Sequence, residues 1–182
     1  EQVRKARSIP ADARVVISIG TLTTRKNHGF LIRSLAELPE EEQARVICLI
    51  VCGGYRKLRL ERLVRELDFR GKVLFLGDIG RDEVARLIAV ADIMALVSLS
   101  EGLSRTVLES LAVGTPVLSF TDLFSEEERV LKKSMLLVKR DTPEAFSDAV
   151  KQSLEFRWDR RTVSESVKGF HWQNVSKRYM EI

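Results

Sequence analysis

The sequence predicts an α/β domain built on a Rossmann-like, doubly wound parallel sheet of about six strands. Six short runs rich in β-branched residues alternate with segments of helical period. These runs are apolar on both faces, which is typical of parallel strands covered by helices on both sides. A length of 182 residues with 45% hydrophobic content suits one domain with a single core. We therefore expect residues 1–182 to form one domain.

The elements follow one another in strict β-α order. Helical spacing of apolar residues fills the segments between the strands, for example at Leu60, Leu63, Val64 and Leu67. From about Pro143 onward we expect helix to the end of the chain, with aromatic residues that pack across the sheet or reach a partner domain. The predicted strands are Val15–Ile19, Val46–Val51, Val73–Leu76, Ile93–Val97, Pro116–Ser119 and Met135–Val138, and the aromatic residues of the tail are Trp158, Phe170, Trp172 and Tyr179.

Composition excludes several classes of protein. Charged residues form 31% of the chain and are spread along it, with a formal net charge of +4 that favours anionic ligands or an anionic membrane surface. A basic block with interleaved aromatic residues is absent from the sequence, so we set nucleic-acid binding aside. The longest apolar stretches, such as 88–97, are interrupted by Asp92 and are too short to span a membrane.

The two cysteines, Cys48 and Cys52, lie in one apolar run. On one strand they would share a face about 13 Å apart, too far for a disulfide. We interpret them as core thiols of a reducing compartment. A metal pair is the alternative, but the sequence near them lacks histidine or further cysteine ligands.

The loop after the first strand is a candidate phosphate site. Gly20 allows close approach of the backbone, and Arg25 and Lys26 come just before a helix. An ordinary turn with solvated basic residues fits the same loop equally well. Gly53 and Gly54, after the second strand, provide a second approach to the backbone, although a simple turn explains them too.

The loop after the fourth strand carries two carboxylates at different depths. Glu101 falls in the strand-to-helix turn, Gly102 leaves room for a ligand, Ser104 is a candidate N-cap, and Glu109 lies one to two turns into the helix. The free amides at the helix start favour an anion, and the carboxylates can accept hydrogen bonds from sugar hydroxyls. Solvated carboxylates on a helix surface are the alternative interpretation.

These residues resemble the "glycosyl transferases group 1" family, family 4 of the retaining GT-B enzymes. Glu101 and Glu109 match its motif of two glutamates separated by seven residues, with Ala112-x-Gly114-x-Pro116 behind them. Further similarity, in the family's order, lies in Gly20 with Lys26, 73–77, Ala91-Asp92, and Phe170-His171-Trp172 with Tyr179. The resemblance covers essentially the whole chain and implies one half of a GT-B fold, the C-terminal donor-binding domain.

The resemblance also implies roles for individual residues. Lys26 would contact the diphosphate of a nucleotide sugar, Glu109 the ribose hydroxyls, and Glu101 the hexose near its 3-hydroxyl. The amides of Gly102 and Leu103 would lie close to sugar and phosphate, with Ser104 beside them, and the backbone of Asp78 and Ile79 would meet the base. Lys26 and Glu101 would assist transfer of a hexosyl group, with neither a metal nor another cofactor.

The sequence departs from the family pattern at a few positions. Thr21 stands where the family usually has arginine, with Arg25 as a candidate replacement, and Ser104 and Ser110 stand where glycine and alanine are common. A non-catalytic module used for assembly or regulation is therefore the alternative function. The two histidines, His28 and His171, are interpreted as capping or packing residues.

The length leaves room for only one half of a GT-B enzyme. We therefore expect an acceptor-binding N-terminal half, as a further domain or a separate subunit, without which the chain is inactive. A cytoplasmic location, peripheral to the membrane through that half, follows from where nucleotide sugars are made.

Overall fold

The computed structural model describes residues 2–102, 104–125 and 128–170. As the sequence predicts, six parallel strands form one sheet. Their order is β3-β2-β1-β4-β5-β6. Each boundary lies within one residue of its predicted position. The strands are β1 (Arg14–Ile19), β2 (Val46–Val51), β3 (Lys72–Gly77), β4 (Ile93–Leu96), β5 (Val117–Phe120) and β6 (Met135–Val138).

Helices cover both faces of the sheet. On one face α2 packs between α4 and α7, and on the other α5 packs against α1 and α6, which in turn contacts α8. The helices are α1 (Gln2–Ala6), α2 (His28–Ala36), α3 (Glu40–Gln43), α4 (Lys57–Glu66), α5 (Arg81–Val90), α6 (Arg105–Ala112), α7 (Pro143–Glu155) and α8 (Arg160–Glu165), with 3₁₀ turns at Thr121–Leu123, Glu128–Ser134 and Lys168–Phe170.

The central strands are buried along their length, which explains their continuous apolar sequence. Every residue of β2 is buried, as is every residue of β1 after Arg14. Strand β3 lies at an edge of the sheet and its residues after Lys72 are half-buried. The strand order reverses between β1 and β4, and the loops that follow these two strands therefore border the crevice where open α/β sheets bind ligands.

The prediction of continuous helix from Pro143 onward is wrong at 156–159. Helix α7 ends at Glu155 because Phe156 adopts an extended backbone. The Trp158 indole donates to the Ser153 carbonyl at 2.9 Å, and the Asp159 side chain caps α8 by accepting from the Arg161 amide at 3.1 Å. Residues 171–182, which include His171, Trp172 and Tyr179, lie outside the described residues.

The cysteines are free thiols, as predicted, but only Cys48 lies on the strand. Strand β2 ends at Val51, and Cys52 has a φ of 87°, so the shared face assumed for the pair does not exist. Burial raises the pKa of the Cys48 thiol to about 12. Cys48 is therefore a protonated, unreactive core residue at neutral pH.

Asp92 has a structural role at the amino-terminal ends of the strands, opposite to the crevice. Its Oδ2 accepts the Val15 amide at 2.6 Å and lies 3.5 Å from Arg4 Nη2. The Asp92 amide in turn donates to the Val15 carbonyl at 2.8 Å. This reciprocal pair joins the start of β1 to the turn before β4.

We expect Asp92→Ala to lower the free energy of unfolding by about 2 kcal/mol, because it leaves the buried Val15 amide without its charged acceptor. Urea unfolding measures this loss. Asp12→Ala, which removes an exposed carboxylate nearby, is the control and should change stability by less than about 0.5 kcal/mol. Equal stability of both variants would contradict the role assigned to Asp92.

Candidate functional site

The loops after β1 and β4 meet through an ion pair at the crevice. Lys26 Nζ donates to Glu101 Oε1 at 2.6 Å, and Arg25 Nη1 lies 3.3 Å from Glu101 Oε2. Arg25 Nη1 also donates to the Ser100 carbonyl at 2.9 Å, and the Leu99 amide donates to the Arg25 carbonyl at 2.7 Å. The structure thus brings together three of the predicted site residues from positions 75 residues apart.

The Glu101 carboxylate is held in its ionised form. Its side chain is only 10% exposed, and this burial alone would raise its pKa. The hydrogen bond from Lys26 and the charges of Lys26 and Arg25 outweigh burial, so the pKa of Glu101 lies below its usual value. At neutral pH Glu101 is therefore negatively charged and able to accept hydrogen bonds.

Gly20 allows Lys26 to reach this position. With a φ of 152° Gly20 lies in a conformation that favours glycine, and a Cβ placed there would come within 2.9 Å of the Lys26 Cδ and Cε atoms. The lysine stem therefore lies across the end of β1. Thr21, the next residue, is exposed.

The loops after β2 and β3 complete the floor of the crevice. Gly54 approaches the β1 loop so closely that a Cβ there would meet the Leu22 amide nitrogen at 2.5 Å. The Leu22 amide donates to the Gly53 carbonyl at 2.8 Å, and the Gly53 amide donates to Asp78 Oδ1 at 3.0 Å. The Asp78 side chain is thus engaged with the protein, while Ile79 packs partly buried against the core.

The start of α6 is open to a ligand. A Cβ on Gly102 would meet nothing within 4 Å, and Glu109 is exposed one turn into the helix, with a carboxylate that lacks a partner among the described residues. Ser104 occupies the N-cap position as predicted, but its hydroxyl pairs with Thr106 Oγ1 at 2.9 Å instead of a backbone amide. Leu103 lies outside the described residues.

Sequence reasoning missed an arginine that supports the β4 loop. Arg140, after β6, donates from Nη2 to the Ser98 carbonyl at 2.9 Å and from Nε to Asp122 Oδ2 at 3.0 Å. Its guanidinium lies 4.1 Å from the centre of the Phe120 ring. The one feature of the sequence that could have indicated Arg140 is its position, because Asp122 and Arg140 follow adjacent strands at the same edge of the sheet. Arg140 fixes the backbone three residues before Glu101.

His28 is a buried packing residue. From the sequence it is interpreted as either a capping or a packing residue, and the second interpretation is confirmed. It begins α2 and is 2% exposed. Burial, with a smaller contribution from the Lys26 charge, lowers the pKa of His28 to about 4. It is therefore neutral at pH 7 and unsuited to act as a general acid.

Within 2–102, 104–125 and 128–170, the structure contains no cluster of three or more His, Cys, Asp or Glu side chains that could hold a metal ion. The same residues include no helix with the length and apolar character needed to cross a membrane.

Comparison with known proteins identifies the family. The model of the family "Glycosyl transferases group 1" matches residues 1–169. The chain belongs to this family. A D-inositol 3-phosphate glycosyltransferase of Corynebacterium urealyticum is 31% identical over the full chain, which corresponds to 45% of that relative. The chain thus spans about half the length of that relative.

Solved structures share the fold at lower identity. A sucrose-phosphate synthase from Thermosynechococcus elongatus superposes with a TM-score of 0.82 at 22% identity, covering 99% of this chain and 47% of that one. HepE of Anabaena in complex with UDP and glucose gives a TM-score of 0.72 at 18% identity, covering 100% and 52%. This family member therefore has the Rossmann-like fold of GT-B structures.

Proposed function

We propose that this chain is the donor-binding half of a retaining glycosyltransferase that moves a hexosyl group from a nucleotide sugar to a glycan or lipid-linked acceptor. The contact between Lys26 and Glu101 at the crevice carries the proposal. It places a cation and an ionised carboxylate side by side where the strand order reverses, the usual ligand position in such sheets.

The cations match the leaving diphosphate. As the bond to the sugar breaks, negative charge grows on the diphosphate, and preorganised donors that face it lower the barrier. Lys26 and Arg25 are already held in place by Glu101 and by the Ser100 carbonyl. They need little reorganisation when the donor binds.

Glu101 matches a neutral part of the donor. An ionised carboxylate repels phosphate, so Glu101 must face the hexose, where it accepts hydrogen bonds from hydroxyls near the 3-position. The pairing with Lys26 sets sugar and diphosphate next to each other. Both residues contact the donor in this proposal and are its catalytic residues.

The remaining contacts follow from the neighbouring loops. The open backbone at Gly102 and the positive end of α6 suit a phosphate or sugar oxygen, and the unpaired Glu109 carboxylate suits the ribose hydroxyls. Because the Asp78 side chain already binds Gly53, the backbone of Asp78 and Ile79 is what remains for the base. The assignment includes no metal.

The relatives support a nucleotide-sugar ligand. Structures of HepE with UDP and with UDP-glucose share this fold. Since the chain spans about half of the D-inositol 3-phosphate glycosyltransferase and of the sucrose-phosphate synthase, we assign acceptor binding to a further domain or subunit. We propose a cytoplasmic location, with any membrane contact made through that half.

Nucleotide binding tests the proposal. We expect UDP, GDP or ADP to bind the chain in calorimetry, and Lys26→Ala and Glu109→Ala each to weaken the best ligand at least tenfold, since each removes a charged contact of about 1.5–3 kcal/mol. Lys72→Ala and Asp12→Ala are matched controls, because both residues are exposed at the opposite edge of the sheet. Equal effects in variants and controls would refute the assigned site.

A non-catalytic module is the second candidate, and the exposed Thr21 in place of the family's usual arginine favours it. It predicts that none of the three nucleotides binds at millimolar concentration. Thr21→Arg separates a weakened donor site from a lost one: restored binding would show that the rest of the site is intact.

A further inference from the structure

A second concave surface lies between α2 and α4, on one helical face of the sheet. This groove has a volume of about 830 Å³. Its floor includes Phe30, Leu60 and Leu63. A Cβ placed on Gly29 would lie 3.5 Å from each of the two leucines, in ordinary van der Waals contact. The proposed donor contacts, including Lys26 and Glu101, do not line it.

The groove is strongly basic. Four arginines line it against a single carboxylate, that of Glu66, in a chain whose formal net charge is only +4. Arg56 Nη1 donates to Thr24 Oγ1 at 3.0 Å. The other three, Arg33, Arg59 and Arg62, are exposed and have no ion-pair or hydrogen-bond partner in the described part of the chain.

A residue that lines the groove also has an unpaired, buried polar atom. His28 lines the groove at 2% exposure, and its Nδ1 has no hydrogen-bond partner within the described residues. An unsatisfied buried polar atom costs free energy, which a ligand can recover by pairing with it. This observation is independent of the arginines.

The rim of the groove is apolar. Tyr55 and Leu58 are 77% and 78% exposed, more than the other exposed large hydrophobic residues in the described chain, and both line the groove. The Tyr55 hydroxyl contacts Thr24 Oγ1 at 3.3 Å, which fixes the ring beside the arginines. Such a rim suits a ligand that carries an apolar portion next to its charge.

We propose that this groove binds a phosphate group, as an anion site separate from the proposed donor site. Guanidinium groups match phosphate oxygens in pairs, and several arginines around one cavity provide more than one such contact. A phosphate oxygen also supplies the partner that His28 lacks. The phosphate belongs either to a phospholipid headgroup or to a soluble phosphorylated compound.

Two binding measurements distinguish these sources. In the first, the chain is sedimented with vesicles of phosphatidylglycerol and phosphatidylcholine, with vesicles of phosphatidylcholine alone as reference. In the second, pyrophosphate is titrated into the Lys26→Ala chain by calorimetry, so that the proposed donor site contributes little. We expect binding in at least one, and binding in neither would overturn the proposal.

Charge-reversal variants locate the site. Arg59→Glu with Arg62→Glu should weaken binding at least tenfold. The matched control is Arg81→Glu with Arg86→Glu, which makes the same change in net charge on exposed residues of α5, on the opposite face, and should change binding less than twofold. Equal losses of binding affinity in both double variants would mean that binding depends only on the net surface charge, and this would overturn the proposal.

His28→Leu separates a built site from diffuse attraction. It leaves every arginine in place, and we expect at least a threefold loss of binding because the proposed contact of His28 with the phosphate is removed. Unchanged binding by a variant that thermal melting shows to be folded would overturn a built site that includes His28. Affinity for whichever of UDP, GDP and ADP binds best is measured in the same variants. If the Arg59 and Arg62 changes abolish this nucleotide binding as well, the groove belongs to the donor site and the proposal fails; failure of all three nucleotides to bind the unmodified chain refutes only the donor site.

Discussion

Lowering the pH from 7 to 5 is expected to destabilise the chain by about 2 kcal/mol through His28. The pKa of His28 is about 4 in the folded chain, against 6.5 for the unperturbed side chain. The unfolded state therefore takes up a proton at a higher pH than the folded state does. The stabilisation is complete above pH 6.5 and is lost as the pH falls toward 4, with a total of about 3 kcal/mol.

The measurement is urea unfolding at pH 7, 6 and 5 for the unmodified chain and for His28→Leu. His171 is present in both proteins, so the difference between their pH profiles isolates His28. We expect the variant to lose about 2 kcal/mol less than the unmodified chain over this range. Parallel profiles would mean that His28 takes up protons equally in both states and would contradict its burial.

The sheet could be predicted from sequence because its strands are buried on both faces. Continuous apolar runs such as Val46–Val51 leave little choice of structure at that length, and every strand boundary lay within one residue. The break after Glu155 was missed because 156–159 contain neither glycine nor proline. It depends on the extended backbone of Phe156 and the side-chain cap from Asp159, and helical periodicity is insensitive to both.

The placement of Lys26 and Glu101 in one site could be predicted because parallel strands bring their carboxyl ends to one edge. The direct ion pair between them is seen only in the structure. The same logic applied to Asp122 and Arg140, but their loops carry no distinctive motif, so the arginine that supports the Glu101 loop was missed. The groove between α2 and α4 could not be predicted from the sequence. Three of its arginines lie on these two helices and Arg56 directly precedes α4. The sequence pattern identifies such positions only as solvated.

Core packing and the candidate site are linked through Phe120. This residue is fully buried at the end of β5, and its ring packs against Phe30 and Phe146 at centroid distances of 5.5 and 5.1 Å. The Arg140 guanidinium lies over the same ring, at 4.1 Å from its centre, and holds the Ser98 carbonyl. Phe120 therefore supports both the core beneath α2 and α7 and the backbone that leads to Glu101.

Phe120→Ala is expected to lower the free energy of unfolding by about 3–5 kcal/mol, because it removes a buried ring and leaves a cavity that its neighbours fill only in part. Phe120→Leu is the matched control: it keeps the site apolar but removes the ring beneath Arg140, and should cost less than half as much. Urea unfolding of both variants measures these losses. A cost below about 1 kcal/mol for Phe120→Ala would show that Phe30 and Phe146 close the space. If Phe120→Leu stays folded and also weakens nucleotide binding, the effect reaches the Glu101 loop through Arg140. Unchanged nucleotide binding would show that Phe120 acts only in core packing.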